Sequence, residues 1–127
     1  MRVFLIDDEK MYFKLVHPVL KNAGHILGYA SSGAEGLVKV AAFDPDVIIL
    51  DIRLPDMTGF DILERLREDS HFSHIPVIFV SSLDELETKL KAFSLGAEDY
   101  LTKPFKPEEL LAPLGNSIPS PRIFKKC

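Results

Sequence analysis

Short apolar runs punctuate the chain. "RVFLI" (2–6), "HILGYA" (25–30), "DVIIL" (46–50), "PVIFV" (76–80) and "DYLT" (99–102) are mostly β-branched or aromatic, and each is followed by small, acidic or hydroxyl residues. Such runs predict buried strands. The longer segments between them have helical spacing. "GFDILERLRE" sets Phe60, Ile62, Leu63 and Leu66 on one side and its charges elsewhere, and "DELETKLKAF" sets Leu86, Leu90 and Phe93 at i, i+4 and i+7. "EKMYFKLVHPVLKNAG" and "GAEGLVKVAAF" read as two more helices, with Gly24 and Gly96 as C-terminal stops. "GYASSGAEG" is glycine-rich but has no phosphate-loop signature, and it reads as a helix start.

Strand and helix thus alternate along the chain. Continuously apolar strands need cover on both faces, so the pattern predicts an α/β fold: a parallel sheet with helices on both sides. Ligands of such sheets sit beyond the carboxyl ends of the strands. Two places resist the pattern. Pro18 falls inside the first helix and should kink or shorten it. The last helix opens well at "KPEELL" but then meets Pro113, Gly115, Asn116, Pro119 and Pro121. It should run two turns or fewer, followed by an irregular basic tail, Arg122 to Lys126. The expected domain is 1–112, with 113–127 as a tail or the start of a linker.

Length and charge narrow the picture. The 127 residues suit one domain with a real core. A formal net charge of −4 gives no basic surface for nucleic acid or an anionic membrane. No apolar run approaches the roughly 20 residues that cross a bilayer. The opening "MRVFLIDDEK" turns acidic too soon for a signal peptide, which leads us to expect a cytoplasmic protein. The lone Cys127 can form neither an internal disulfide nor a metal cluster.

The strand ends carry the candidate chemistry. The first ends in Asp7-Asp8, the third in Asp51, the fourth in Ser81-Ser82, and the fifth just before Lys103-Pro104. Three carboxylates, a hydroxyl and an ammonium would meet at one edge of the sheet. Clustered carboxylates repel one another and lose hydration. A hard divalent cation such as Mg²⁺ resolves that conflict. Such a site suits phosphoryl transfer, with Lys103 and the metal offsetting charge and Ser81 donating a hydrogen bond. Aspartate is an accepted phosphoryl nucleophile.

Taken together, "LIDDE", "DPDVIILDIRLPDMTGFDIL", "IPVIFVSS" and "GAEDYLTKPF" resemble the receiver domains of two-component response regulators, over roughly residues 2 to 112. The resemblance implies a flavodoxin-like (βα)5 doubly wound fold with strand order 2-1-3-4-5. It implies Asp51 as phosphoacceptor. Asp7 and Asp8, with Asp51 and the backbone carbonyl of Arg53, would hold Mg²⁺ or Mn²⁺. It implies Ser81 as the switch hydroxyl, Lys103 as the partner lysine before a cis peptide to Pro104, and Tyr100 as the aromatic that rotates inward when Ser81 moves. Pro55 and Gly59 match the loop after the acceptor strand. Arg53 and Leu83 would border the phosphoryl site. The donor would be a sensor histidine kinase or a His-containing phosphotransfer protein, and acetyl phosphate could serve as a small-molecule donor. The chain would act as a switch, not as an enzyme beyond its own phosphorylation and dephosphorylation.

Plainer readings compete at each position. Asp51 could begin a turn, Asp7 or Asp8 could cap a helix, and Ser82 and Asp84 rival Ser81 as a cap. His71 and His74 sit in a polar loop without partners at zinc spacing and read as exposed. A Mg²⁺-dependent phosphatase would place a second aspartate two residues after the first, where this chain has Arg53. A pseudo-receiver that takes no phosphate would be expected to have lost some of the five positions. The final helix segment "LLAPLGNSIP" lacks the arginines of receivers that dimerise to bind DNA. No direct nucleic-acid contact is expected. The output is an unknown domain or protein, with a lean toward cyclic-di-GMP enzymes. The chain would be a stand-alone regulator or a receiver cut from a longer one.

Overall fold

In a computed structural model of the chain, which describes residues 1–116, the alternation becomes five parallel strands and their connecting helices. The strands are β1 (Arg2–Ile6), β2 (Ile26–Ala30), β3 (Val47–Asp51), β4 (Val77–Ser81) and β5 (Asp99–Thr102). The helices are α1 (Lys10–Asn22), α2 (Gly33–Phe43), α3 (Gly59–Glu68), α4 (Leu86–Ser94) and α5 (Leu111–Asn116), the last entered through a 3-10 turn, Pro107–Leu110. The sheet order is β2-β1-β3-β4-β5, all parallel. This is the flavodoxin-like order that the motifs implied.

Side chains alternate across each strand, and this divides the core in two. Phe4, Ile6, Ile48, Leu50, Val77 and Phe79 face α2, α3 and α4, where they meet Val40, Ile62, Leu63, Leu66 and Ala92. Val3, Leu5, Val47, Ile49, Ile78 and Val80 face the other way and meet Val16 and Leu20 of α1 and Leu114 of α5. Every residue of β3 and β4 is buried, which explains why their sequences run apolar without alternation.

The helix boundaries have local causes. Ser32 caps α2 by accepting from Glu35 N–H, and Thr58 and Asp61 form a reciprocal capping box at the start of α3. Gly24 and Gly96 take positive φ just past α1 and α4, as stop signals do.

Three features go beyond the sequence reading. α1 runs uninterrupted through Pro18. Pro18 lies on the solvent side between the buried Val16 and Leu20, so water can serve the carbonyl it leaves unpaired. The apolar stripe of α4 points outward, with Leu86, Leu90 and Phe93 about half exposed or more, while small Ala92 makes the core contact. Finally, α5 continues to Asn116, and Leu114 is fully buried, so the packed body reaches past residue 112. The short helix itself was expected; the basic tail 122–126 lies outside the described residues.

Candidate functional site

The parallel register aligns the strand ends. Ile6 pairs with Leu50 across β1 and β3, Asp51 with Val80 across β3 and β4, and Ser81 with Thr102 across β4 and β5. The residues one step further on therefore gather at one edge. Asp7 is fully buried there, and Asp51, Ser81 and Lys103 are nearly so. Asp8 sits at the exposed rim.

Lys103 is the hub. Its Nζ lies 2.8 Å from Asp7 Oδ2, 2.9 Å from Glu9 Oε1 and 3.1 Å from Asp51 Oδ2. The same nitrogen stands 4.4 Å from the centre of the Tyr12 ring, which stacks on Phe105. The Lys103-Pro104 peptide is cis, as implied by the motif. Burial pulls the ammonium pKa down, but the carboxylates of Asp7, Glu9 and Asp51 outweigh it and hold the group firmly charged.

Asp51 has the opposite problem. Burial and the nearby charge of Asp7 lift its carboxyl from 3.8 to about 6, against the pull of Lys103. Its other oxygen accepts from the Arg53 backbone N–H at 3.3 Å. At neutral pH the group is mostly ionised and poorly compensated.

The donor set fits a divalent cation. One carboxylate oxygen from each of Asp7, Asp8 and Asp51 lies within 4.8 Å of the others, the one such grouping among the described residues. Asp7 Oδ1 accepts from Glu9 N–H, and buried Asp7 Oδ2 has the Lys103 ammonium at 2.8 Å and no other donor among the described residues. That buried anionic oxygen faces an ammonium shared with two other carboxylates, so it keeps lone pairs to offer a cation. His71 and His74 are exposed and belong to no such group.

A second chain of contacts leads away from the pocket. Ser81 Oγ accepts from Leu83 N–H at 3.1 Å, and Leu83 O accepts from the Tyr100 hydroxyl at 2.5 Å. Tyr100 lies inward in this structure, 9 % exposed, and burial raises its phenol pKa. Thr102 donates to Asp84, which also pairs with Lys89 of α4. Arg53 is exposed and Leu83 half-buried. Sequence reasoning missed Glu9 and Tyr12. A glutamate opening a helix reads as a surface charge, and only the fold brings Lys103 to it from 94 residues away.

Comparison with known proteins places this geometry in a family. The model of the response regulator receiver domain matches residues 3–114. The DNA-binding dual master transcriptional regulator RpaA of Synechocystis sp. is 40% identical over 111 residues, covering 87% of this chain and 46% of the relative. Protein PilG of Pseudomonas aeruginosa is 36% identical over 120 residues, covering 94% of this chain and 89% of PilG. The chain spans about half the length of the first curated relatives it matches. Among solved structures, chemotaxis protein CheY4 of Vibrio cholerae superposes with a TM-score of 0.84 at 33% identity, covering 91% of this chain and 97% of that one. Fold, acidic edge and sequence agree: the chain belongs to the receiver-domain family of two-component response regulators.

Proposed function

We propose that this receiver is a phosphorylation-controlled switch with Asp51 as its phosphoacceptor. The observation that carries the reading is a buried Asp51 carboxylate 3.1 Å from the Lys103 ammonium. An Asp51 oxygen attacks the phosphorus of a phosphohistidine on a sensor histidine kinase or phosphotransfer protein. The P–N bond breaks, its electron pair returns to the imidazole, which takes up a proton, and an acyl phosphate forms on Asp51. Lys103 offsets charge on the phosphoryl oxygens, and the Ser81 hydroxyl donates to one of them. Asp7, Asp8 and Asp51, with the Arg53 carbonyl, would hold Mg²⁺ or Mn²⁺, which supplies further neutralisation when bound. Beyond forming and losing its own acyl phosphate, the chain is not an enzyme.

The output follows from the second chain of contacts. Ser81 cannot shift without disturbing Leu83, and Leu83 holds the Tyr100 hydroxyl. Phosphorylation therefore repacks the surface of α4, β5 and α5, where the outward stripe of Leu86, Leu90 and Phe93 lies. With Tyr100 already inward, the switch biases an existing arrangement rather than creating one. The net charge of −4 favours a protein as the downstream contact, an output domain or a separate partner such as a cyclic-di-GMP enzyme, with no direct nucleic-acid contact. No described helix is long and apolar enough to cross a membrane.

Intact mass after incubation with acetyl phosphate and Mg²⁺ tests the reading. One added phosphoryl group, abolished by EDTA and by Asp51→Asn, is the expected result. Phosphoryl uptake by Asp51→Asn equal to wild type would overturn the acceptor assignment.

A further inference from the structure

Glu9 plays no part in the mechanism above, yet it supplies one of the three carboxylate oxygens that hold Lys103 Nζ. An ammonium has three donors. Here all three are taken up by the carboxylate oxygens of Asp7, Glu9 and Asp51, 2.8, 2.9 and 3.1 Å away, and the Tyr12 ring crowds the same nitrogen. A phosphoryl oxygen on Asp51 needs a share of that ammonium, so a present partner must yield. Asp7 is fully buried, and Asp51 is the acceptor itself. The Glu9 side chain is 50% exposed and can turn to water at least cost. Glu9 stands at the N-cap of α1 but makes no side-chain capping bond there, so its carboxylate is not spent on the helix.

We infer that Glu9 is a positioning residue that competes with the phosphoryl group for Lys103, and so sets how tightly the pocket holds phosphate. This inference rests on the phosphoacceptor reading. It adds a residue that acts through Lys103 and touches neither acceptor nor phosphoryl group. Two variants separate contact from charge. Glu9→Gln removes the charge and weakens the bond to Lys103. Glu9→Asp keeps the charge but is one methylene shorter and falls short of the ammonium.

Beryllofluoride serves as the phosphoryl stand-in, followed by ¹⁹F NMR at saturating Mg²⁺, with Mg²⁺ affinity measured separately by calorimetry. Both variants should bind beryllofluoride more tightly than wild type, by roughly threefold or more, the scale of a partly exposed ion pair. Mg²⁺ affinity should fall in Glu9→Gln, which makes the acidic pocket one charge less negative, and stay near wild type in Glu9→Asp. A purely structural role would not split the two ligands in this way. Beryllofluoride affinity unchanged in both variants, or raised only in Glu9→Gln, would overturn the competition while leaving the phosphoacceptor reading intact. Failure of wild type itself to bind beryllofluoride at Asp51 would overturn both.

Discussion

Lys103 Nζ lies 3.1 Å from Asp51 Oδ2 although 52 residues separate them in sequence. The contact joins the end of the middle strand to the loop after an outer one. It leaves a single ammonium beside more carboxylates than it can neutralise.

That imbalance leads to a stability prediction for Lys103 at neutral pH. Lys103→Met strands Asp7, with no exposure, against Asp51. Removing one partner of a buried pair typically costs about 3–5 kcal/mol. Urea unfolding in EDTA should show a loss of that order. A ¹³C titration should place the Asp51 carboxyl above its starting value of about 6. Unchanged stability would mean that the ammonium is dispensable to the metal-free pocket.

Asp51 itself should weaken the metal-free fold. Its carboxyl is raised from 3.8 to about 6, so between those values the folded chain holds a proton that the unfolded chain has released. Stability therefore falls as pH rises through that window, and the full penalty stands above it. Asp51→Asn should be more stable than wild type at pH 7.5 in EDTA by about 2 kcal/mol, with the gap closing near pH 4. Denaturation curves across pH check both the size and the sign.

Mg²⁺ should reverse that ranking in part. A ligand bound only by the folded chain stabilises it by mass action. Wild type should gain several degrees in melting temperature on addition of Mg²⁺, and Asp51→Asn, which lacks one carboxylate of the acidic group, should gain less. Equal gains would place the cation elsewhere.

The turn after β3 leaves no room at Gly59. A Cβ there would stand 2.3 Å from Asp51 O and 3.0 Å from Ile52 Cα, both backbone atoms that cannot swing aside. Gly59→Ala should destabilise by about 1–3 kcal/mol and disturb Mg²⁺ binding through Asp51. Gly115→Ala, with nothing within 4 Å, should be neutral or slightly stabilising. Thermal melts of the pair give the contrast.

Tyr100→Phe removes the hydroxyl bonded to Leu83 O. A loss near 1 kcal/mol is expected. The more telling readout is amide exchange at Leu83, whose N–H is held by Ser81. It should quicken in the variant, and beryllofluoride should protect it less than in wild type. Identical exchange would remove Tyr100 from the switch.

Much of this was legible in the sequence because chemistry here sits at strand ends. An apolar run that stops on Asp51, and others that stop before Asp7, Ser81 and Lys103, become a site once the runs are parallel. What was not legible depends on contacts without a spacing rule. Asp56 accepts from Gly33 and Ala34 N–H at the start of α2, and Glu9 reaches Lys103, because loops meet in space. The outward stripe of α4 was invisible for a related reason. Helical period shows that Leu86, Leu90 and Phe93 share a face, but not which face the sheet covers. That α1 continues past Pro18 was not legible either, because the cost of a missing N–H depends on solvent access, which sequence does not display.

The strand order also divides labour between stillness and motion. Asp51 is carried by β3, which has a hydrogen-bonded neighbour on each side, whereas Tyr100 is carried by four-residue β5, which has one. Local opening draws on whatever is least secured. Asp51 is thus anchored in the middle of the sheet, and Tyr100 is mounted at its edge. On the proposed switch, a message of a few atoms at the centre is then read at the margin without loosening the place where it was written.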